Sequence, residues 1–416
     1  MRLPGAGNRP FTQAPRGDGE MRKFILIAVA IILAIGAWLY FVKGYVGVRK
    51  REAVPVELTY KAQVPGMKNV RMITDPFKAK SMRLRDEMKM SGFANAKFSN
   101  PEINVLAISG GGANGAYGAG VICGWTGTGK RPQFDIVTGV STGALIAPAA
   151  FIGPSYDKVI KEIYTNISDT DIAQQNIAEF LFEGRPSLLD TRPLRNVLRR
   201  AVTKELLDGI AREHAKGRRL YIATTNLDAR RLVIWDMGAV ASSGTEGAME
   251  LFRNIMLASA AIPVAFPPVF ITVEADGHFY DEMHVDGSVT TQLFGAMLVV
   301  GYDEIKMRKT NIYLIRNGKL ADVPEEVSYK VWNIASAAFS TLMTWQSYGD
   351  IYRFFTLARY QHIRCYFTCI PYEFNEPRKG EFDLSYMRKL FYRGYRASVS
   401  GGNWMTQIGR NIVMGK

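Results

Sequence analysis

The sequence predicts a layered α/β fold in which a central, mostly parallel β-sheet is flanked by helices. Apolar runs of strand length alternate with helix-like stretches through the middle of the chain, and this alternation is typical of parallel strands joined by helices. Two of the runs end in glycine-rich turns that lead straight into a helix. With 416 residues, 47% of them hydrophobic, the chain can bury a sizeable core. The predicted strands are residues 104–110, 134–139, 220–225, 232–235, 269–273 and 311–316.

The second predicted strand ends in the pentapeptide GVSTG at residues 139–143, and an alanine-rich, helix-like stretch follows at residues 144–147. A nucleophilic serine needs a strained turn of this kind, in which a Cβ on either neighbour would crowd the backbone. The helix that begins after Ser141 also directs its N-terminal dipole at the position where an anion forms during acyl transfer. The pentapeptide therefore predicts a catalytic serine, although it also occurs in ordinary glycine-rich turns between a strand and a helix.

The first predicted strand ends in a second glycine-rich turn, with consecutive glycines at residues 110–112. Consecutive glycines let successive backbone N–H groups converge on one point, which makes a nest for an anion. The spacing Gly110-x-Gly112-x-x-Gly115 also fits a dinucleotide-binding fingerprint, which requires an acidic residue about 20 residues further on. Asp135 lies near that distance, but it opens its strand instead of closing it. We therefore interpret the turn as an oxyanion loop and keep the dinucleotide site as the alternative.

An acyl hydrolase also needs a base that accepts the serine proton, and Asp286 in the pair Asp286-Gly287 is the first candidate. Histidine is the usual base because its pKa lies near neutrality. Of the four histidines, only His362 follows Asp286 in the order Ser, Asp, His that α/β-hydrolases use. His284 lies two residues before Asp286, so on a strand it shares that residue's face, and we interpret it as a packed residue.

A second Asp-Gly pair, Asp276-Gly277, lies ten residues earlier, between apolar stretches at residues 269–273 and 278–280. An Asp-Gly pair between two such runs is typical of a two-residue β-hairpin turn. We therefore interpret Asp276 as a turn residue and Asp286 as the base.

The glycine-rich nest, the serine elbow and the later Asp-Gly pair, in this order, resemble the patatin-like phospholipases. The segment LASAAIP at residues 257–263, followed by FPP at residues 266–268, is similar to that family's alanine-rich helix end and proline turn. The resemblance covers residues 102–320 and implies a three-layer patatin-like fold. It also implies a Ser–Asp dyad, in which Ser141 attacks an ester carbonyl, Asp286 takes its proton directly, and loop N–H groups hold the oxyanion.

Two positions depart from the family's pattern. Asn114 stands where the family often has Arg or Lys, so we expect a neutral amide in place of a cationic aid to the oxyanion. Ser288 follows the Asp-Gly pair where Gly or Ala is usual, which is a change between small residues. The predicted site comprises the catalytic residues Ser141 and Asp286 with Gly287, the elbow glycines Gly139 and Gly143, and the oxyanion loop Gly110, Gly111, Gly112, Asn114 and Gly115.

The N-terminal region contains an uninterrupted apolar run at residues 24–42, with Arg22 and Lys23 before it and Lys43 after it. A helix of this length spans a bilayer core of about 30 Å. We predict a retained single-pass anchor, with a cleaved signal sequence as the alternative. Basic residues occur on both sides of the run, so the charge rule barely separates the two orientations, and we favour a catalytic domain exported to the periplasmic side.

The rest of the chain divides around the region of resemblance. In the C-terminal extension, residues 327–360 are predicted to form one long helix, which either packs on the core or presents an aromatic surface to lipid. The predicted segments are a polar tail at residues 1–20, an anchor or signal sequence at 21–43, a linker with a basic helical stretch at 44–100, a catalytic domain at 101–320, and a helical, aromatic extension at 321–416.

The formal net charge of +14 predicts an anionic partner. An anionic phospholipid surface fits better than nucleic acid, because no nucleic-acid motif occurs in the chain. Cys123, Cys365 and Cys369 form no disulfide framework and are interpreted as buried free thiols. His278 and His284 lack the spacing of a standard metal site, so neither a metal nor a cofactor is predicted.

These observations predict a membrane-anchored serine acyl hydrolase that acts on phospholipids or related lipid esters. The first alternative is an α/β-hydrolase esterase with a Ser–Asp–His triad, which requires His362 at the site. The second alternative is a non-catalytic, lipid-binding member of the same fold, which the missing cation at Asn114 would favour.

Overall fold

The computed structural model describes residues 27, 29, 31, 51–74, 98, 100–167, 174–175, 187, 189–296, 305, 307–320, 326–402 and 404–407. The strands of its main sheet are β1 (Arg71–Ile73), β2 (Glu102–Ile108), β3 (Ile136–Val140), β4 (Arg219–Asn226), β5 (Arg231–Asp236), β6 (Val269–Ala275), β7 (His278–Asp286), β8 (Lys309–Arg316) and β9 (Arg364–Cys369). The helices are α1 (Gly115–Gly127), α2 (Thr142–Ile152), α3 (Asp157–Asn166), α4 (Arg192–Ala201), α5 (Lys204–Ala215), α6 (Met237–Ser242), α7 (Ala248–Ser259), α8 (Val331–Tyr360) and α9 (Leu384–Val399). A separate two-stranded pairing joins Gln174–Gln175 to Leu189–Asp190.

The main sheet has the strand order β1-β5-β4-β3-β2-β8-β9, and β7 pairs with both β4 and β6. Strands β4, β3, β2, β8 and β9 are parallel, whereas every pairing of β1, β5, β6 or β7 is antiparallel. The predicted α/β fold with flanking helices is confirmed, but the prediction of a mostly parallel sheet is wrong, because the sheet is mixed. The connections at residues 227–230 and 276–277 are too short for a crossover, so they join antiparallel strands.

The parallel strands lie at the centre because both of their faces are apolar. Every residue of β3 is buried, and Val137 and Ile136 contribute to the core clusters on opposite faces of the sheet. Such a strand reads as a continuous apolar run because side chains alternate between two covered faces. Helices α1, α2, α7 and α9 cover one face, and the second half of α8 covers the other.

One side of β4 is shared, end to end, by two strands. β3 pairs with β4 as far as Val140, which lies opposite Ala223. β7 pairs with β4 from the next residue, where Asp286 lies opposite Thr224. Because Ser141 directly follows Val140, the ends of β3 and β7 meet at this point and Ser141 comes to lie beside Asp286.

Residues 51–74 pack against the sheet. Within them, β1 pairs with β5, and the buried Arg71 forms an ion pair with Glu282 of β7. The guanidinium of Arg71 also donates to the carbonyl oxygen of Ala62 at 2.7 Å. This stretch falls in the segment predicted as a linker, and a strand of three residues is too short for hydrophobic periodicity to indicate it.

The C-terminal region contributes to both the sheet and its covering helices. Helix α8 matches the long helix predicted at residues 327–360, and its second half packs on the core through Ile351, Phe354 and Ala358. The chain then returns as β9, which pairs in parallel with β8. The thiols of Cys365 and Cys369 on β9 are free and buried, as is that of Cys123.

In the part of the chain that the structure describes, no helix is both long and apolar enough to cross a bilayer. Of the apolar run at residues 24–42, Ile27, Val29 and Ile31 are helical, and the other residues lie outside the described ones, as does the tail at residues 1–20. The N-terminal anchor and its orientation therefore stay predictions.

Candidate active site

The predicted site residues lie at the edge of the sheet where the parallel strands end. β2 ends at Ile108 and leads through the glycine-rich loop into α1, and β3 ends at Val140 and leads through Ser141 into α2. Because β2 and β3 are parallel neighbours, the two loops lie side by side. A Cβ placed on Gly110 would lie 2.4 Å from Oγ of Ser288 and 3.1 Å from the Cβ of Ser141, so glycine lets this loop approach both serines closely.

Ser141 occupies a strained backbone conformation, with φ of 54° and ψ of −125°. A non-glycine residue held in such a conformation costs on the order of 1–3 kcal/mol and persists only where the surroundings fix it. A Cβ on Gly139 would lie 2.5 Å from the carbonyl oxygen of Gly143, and a Cβ on Gly143 would lie 2.7 Å from the carbonyl oxygen of Ser109. Both glycines are therefore sterically required at this elbow.

Ser259, at the end of α7, holds the elbow in place by hydrogen bonds. The backbone N–H of Ser141 donates to Oγ of Ser259 at 3.0 Å, and that hydroxyl donates to the carbonyl oxygen of Ala223 at 2.7 Å. Ser259 is fully buried, so this link between β4 and the elbow is protected from water. The residue lies in the alanine-rich segment noted in the sequence, but its contact spans 118 residues of chain and no local pattern indicates it.

Asp286, the last residue of β7, is buried beside Ser141. Its Oδ1 accepts the backbone N–H of Ser288 at 2.7 Å. Its backbone is held on both sides, because the carbonyl oxygen accepts the Thr225 hydroxyl at 2.9 Å and the N–H donates to the carbonyl oxygen of Ala261 at 2.9 Å. Among the described residues, no group forms a geometrically regular hydrogen bond with Oδ2.

The electrostatics of Asp286 favour proton acceptance. Burial raises the pKa of its carboxyl from 3.8 to about 6, although the Ser141 hydroxyl and the N–H and hydroxyl of Ser288 act in the opposite direction. A carboxyl with a pKa near 6 is mostly ionised at neutral pH and is a stronger base than an exposed aspartate.

The glycine-rich loop presents backbone donors beside Ser141. Gly111 and Gly112 have φ values of 149° and 54°, which is why residues without a Cβ occupy them. No described residue accepts a hydrogen bond from the backbone N–H of Gly110, Gly111 or Gly112. Unpaired donors in a nest of this kind suit a developing anion.

Asn317, which follows β8, clamps this loop. Its backbone N–H donates to Oγ of Ser109 at 2.8 Å, and its Nδ2 donates to the carbonyl oxygen of Ser109 at 2.9 Å. Its Oδ1 accepts the N–H of Gly118 in α1 at 3.0 Å. Asn317 is not predictable from the sequence, because the residue acts across 208 positions of chain and belongs to no motif.

Asn114 and Gly115 lie at the start of α1, a short distance along the loop. The Oδ1 of Asn114 accepts the hydroxyl of Tyr386 in α9 at 2.7 Å. Gly115 packs against Thr142 and Tyr164, and a Cβ at this position would lie 2.8 Å from the Tyr164 ring. Gly115 therefore allows α1 to approach its neighbours, whereas an oxyanion role for Asn114 stays a prediction.

The alternative triad requires His362 and the alternative dinucleotide site requires Asp135. Both residues lie at the edge of the sheet opposite to Ser141. His362 lies exposed in the turn before β9, so it is remote from Ser141 and a Ser–Asp–His triad does not form. Asp135 lies just before β3, where its carboxylate accepts the N–H of Asn104 at 2.8 Å and the side-chain amide of Asn100 at 2.9 Å. Asp135 therefore does not serve as the acidic residue of a dinucleotide site at the glycine-rich loop.

His284 is a packed residue of β7. Its ring nitrogens hydrogen-bond Oγ1 of Thr224 at 2.9 Å and Oε2 of Glu282 at 3.0 Å, and burial lowers the pKa of its ring. Among the residues with described positions, no group of three or more His, Cys, Asp or Glu could hold a metal ion.

An apolar cavity opens beside the elbow. Ser141 and Gly112 line it together with side chains from α2, α3, α4, α7 and the loops that precede α9 and follow α7. Its apolar lining includes Leu145, Ile163, Leu194, Leu198, Met256 and Phe266.

A strained serine elbow, a glycine-rich nest and a buried aspartate thus lie together at one edge of a mixed α/β sheet. Residues 106–293 match the family model of the patatin-like phospholipases, so the chain carries a patatin-like phospholipase domain over these residues. This domain implies the family of lipid acyl hydrolases, whose members act on lipid substrates. The resemblance seen in the sequence is thus confirmed.

The chain also has a weak similarity to a solved structure. The crystal structure of VipD from Legionella pneumophila matches with 13% sequence identity and a TM-score of 0.35, and the match covers 82% of this chain and 72% of that chain. No curated protein matches the chain by sequence.

Proposed function

We propose that the protein is a lipid acyl hydrolase that uses Ser141 as the nucleophile and Asp286 as the base. The observation that carries this proposal is the apolar cavity lined by Ser141, whose hydroxyl neighbours a buried carboxylate. A cavity with an apolar lining accepts an acyl chain and rejects a charged or strongly hydrated substituent.

In the proposed reaction, Asp286 takes the proton of the Ser141 hydroxyl while Oγ attacks the ester carbonyl carbon. The N–H groups of the loop at residues 110–112 stabilise the oxyanion. When the tetrahedral intermediate collapses, protonated Asp286 gives its proton to the leaving alcohol, and an acyl-enzyme remains on Oγ. Asp286 then takes a proton from water, which attacks the acyl carbon, and the returned proton regenerates the Ser141 hydroxyl as the fatty acid leaves.

A fluorophosphonate probe and the Ser141→Ala variant test the nucleophile. We expect the full chain to be labelled at Ser141, and Ser141→Ala to lose both labelling and ester hydrolysis while its thermal unfolding stays close to that of the unaltered protein. Thr142→Ser, at the next residue along the elbow, keeps a hydroxyl and serves as the matched control. Turnover by Ser141→Ala near the unaltered rate would contradict the assignment.

Asn114 tests the composition of the oxyanion loop. We propose that its amide assists the backbone N–H groups, with the hydroxyl of Tyr386 fixing its orientation. Asn114→Ala should then lower kcat about 10-fold with little change in KM, because the bond forms mainly in the transition state. An unchanged kcat would leave the oxyanion to the backbone N–H groups alone.

We also propose that residues 24–42 anchor the protein in a membrane with its catalytic domain exported, and that the cationic surface favours anionic lipid. The support is the sequence alone: an apolar run of bilayer length with basic flanks, and a net charge of +14. The full chain should need detergent for extraction, whereas a chain without residues 1–43 should bind only peripherally and be released without detergent by an alkaline carbonate wash. Release of the full chain by the same wash would show that the run is cleaved or does not span.

A further inference from the structure

Helix α8 is longer than the part of the sheet that it covers. Its Asp350 accepts the backbone N–H groups of Gln292 at 2.8 Å and Leu293 at 3.0 Å, in the loop that follows the proposed base. The guanidinium of Arg316, at the end of β8, lies 5.7 Å from the ring centre of Tyr348. These contacts place residues 348–350 level with the edge of the sheet that carries Ser141.

Residues 331–346, which we call the arm, therefore extend past that edge. The chain leaves β8 at this edge, and α8 crosses back along the sheet to begin β9 at the opposite edge, so the first half of the helix has no strand beneath it. At 1.5 Å per residue the arm is about 24 Å long.

The arm has an exposed apolar stripe. Residues three and four apart lie on one face of a helix, and here they are Val331, Ile334, Ala338, Leu342 and Trp345. Val331 is 81% exposed, and Leu342 and Trp345 are each 69% exposed. The opposite face carries the polar residues Asn333, Ser336, Ser340 and Thr344. Exposure of an apolar face of this length to water is unfavourable and marks a surface that binds something.

Two observations identify what covers the stripe. No charged residue occurs from residue 331 to residue 349, so the arm has no group that would pair with a charged protein surface. The arm also extends past the sheet edge that carries Ser141, the residue beside which the cavity opens. An amphipathic helix with tryptophan on its apolar face suits the boundary between lipid head groups and acyl chains.

We propose that the arm docks on the surface of a phospholipid bilayer, with its apolar stripe among the acyl chains. Docking would turn the active-site edge towards the bilayer. The docking itself does not depend on the proposed function, and only its purpose, the access of lipid to Ser141, rests on that function. Because the arm is uncharged, its docking should depend on apolar burial and should occur on zwitterionic lipid at high salt. This distinguishes it from attraction of the cationic surface to anionic lipid.

A fluorescent label on the full chain tests the docking directly. The three native thiols are buried, and burial raises the pKa of each to about 12, so a new exposed cysteine can be labelled selectively. An environment-sensitive dye on Leu342→Cys should shift to the blue when phosphatidylcholine vesicles are added in high salt. The same dye on Ser400→Cys, exposed at the far end of α9, should not shift. No shift at residue 342, or equal shifts at both positions, overturns the proposal, and a shift that grows with protein concentration without vesicles assigns the stripe to a second copy.

Charge substitutions separate docking from chemistry. Leu342→Glu with Trp345→Glu should lower hydrolysis of phosphatidylcholine vesicles about 10-fold, because a charged group opposes burial in lipid. Ser336→Glu with Ser340→Glu, on the opposite face, is the matched control and should change the rate less than about 2-fold. Both pairs should keep the unaltered rate on a short, water-soluble ester. Equal losses in the two pairs overturn the proposal, whereas absence of esterase activity in the unaltered protein overturns the proposed function and leaves the dye result standing.

Discussion

Two Asp-Gly pairs lie at opposite ends of β7 and in opposite environments. Asp276 and Gly277 form the exposed turn of the β6–β7 hairpin, with φ values of 49° and 81°. Asp286 and Gly287 are buried where β7 ends beside the serine elbow. The carboxyl of Asp276 is exposed to water, whereas burial raises the pKa of the Asp286 carboxyl to about 6. The Asp-Gly dipeptide alone therefore does not make a candidate base. Asp286 is one because β7 ends beside the serine elbow and buries its carboxyl there.

The two glycines differ in the same way. Gly277 has a left-handed φ and open space around it, so it is there for backbone conformation. Gly287 has an ordinary φ, but a Cβ at this position would lie 2.5 Å from the carbonyl oxygen of Ala223. One glycine permits a turn, and the other permits β7 to approach β4 closely.

The largest expected difference is in catalysis. Asp286→Asn removes the proposed proton acceptor and should lower kcat on a soluble ester by on the order of 10²-fold or more. Asp276→Asn, the matched control at the other end of β7, should leave kcat unchanged. If Asp276→Asn causes the larger loss, the wrong pair has been assigned to the chemistry.

The pH dependence of the rate should follow the same residue. Below pH 6 the carboxyl of Asp286 becomes protonated, so kcat/KM should fall about 10-fold for each pH unit. Asp276→Asn should have the same profile as the unaltered protein. Ser288→Ala should move the midpoint upwards, because the Ser288 hydroxyl lowers the pKa of Asp286. A midpoint that stays near pH 4 would contradict the effect of burial.

Substitution of each glycine by alanine should distinguish the glycine needed for close strand packing, Gly287, from the glycine needed for its backbone conformation, Gly277. Gly287→Ala forces β7 away from β4 and should cost roughly 1–3 kcal/mol of unfolding free energy and most of the activity. Gly277→Ala should cost about 1–2 kcal/mol through its left-handed φ while the activity persists. Chemical denaturation and ester hydrolysis of both variants give the comparison, which fails if Gly277→Ala is the inactive one.

The last expected effect is a gain in stability that depends on pH. Because the folded-state pKa of Asp286 is raised, the folded protein holds this proton more tightly than the unfolded chain, and ionisation between about pH 4 and pH 6 destabilises the fold. Asp286→Asn avoids that ionisation, so its stability relative to the unaltered protein should rise over this range and stay level above it. The denaturation midpoints of Asp286→Asn and of the unaltered protein, measured at about pH 4 and about pH 7.5, test this prediction. A stability of Asp286→Asn that falls with rising pH relative to the unaltered protein would contradict it.

Local features of the molecule followed from the sequence, and long-range ones did not. The elbow and the glycine-rich loop are predictable because glycine spacing, apolar runs and helix starts all occur within a few residues. The β6–β7 hairpin is predictable in the same way from its Asp-Gly turn, whereas the pairing of β7 with β4 is not, because it joins strands that are far apart in the sequence. Ser259 and Asn317 hold the site across 118 and 208 residues of chain, and neither residue type signals such a contact.

The distance between Ser141 and Asp286 is set by the number of β4 residues that pair with β3 and with β7. This count places the end of β3 next to the end of β7. Deletion of one residue within β7 would move its end by one position and turn the carboxyl to the other face of the sheet. Insertions in the loop between α6 and α7 would leave that count unchanged, since its residues 243–247 pair with no strand of the sheet. The alignment of these two groups therefore changes only in whole-residue steps, and tolerance to length changes should drop abruptly at the boundaries of the paired strands.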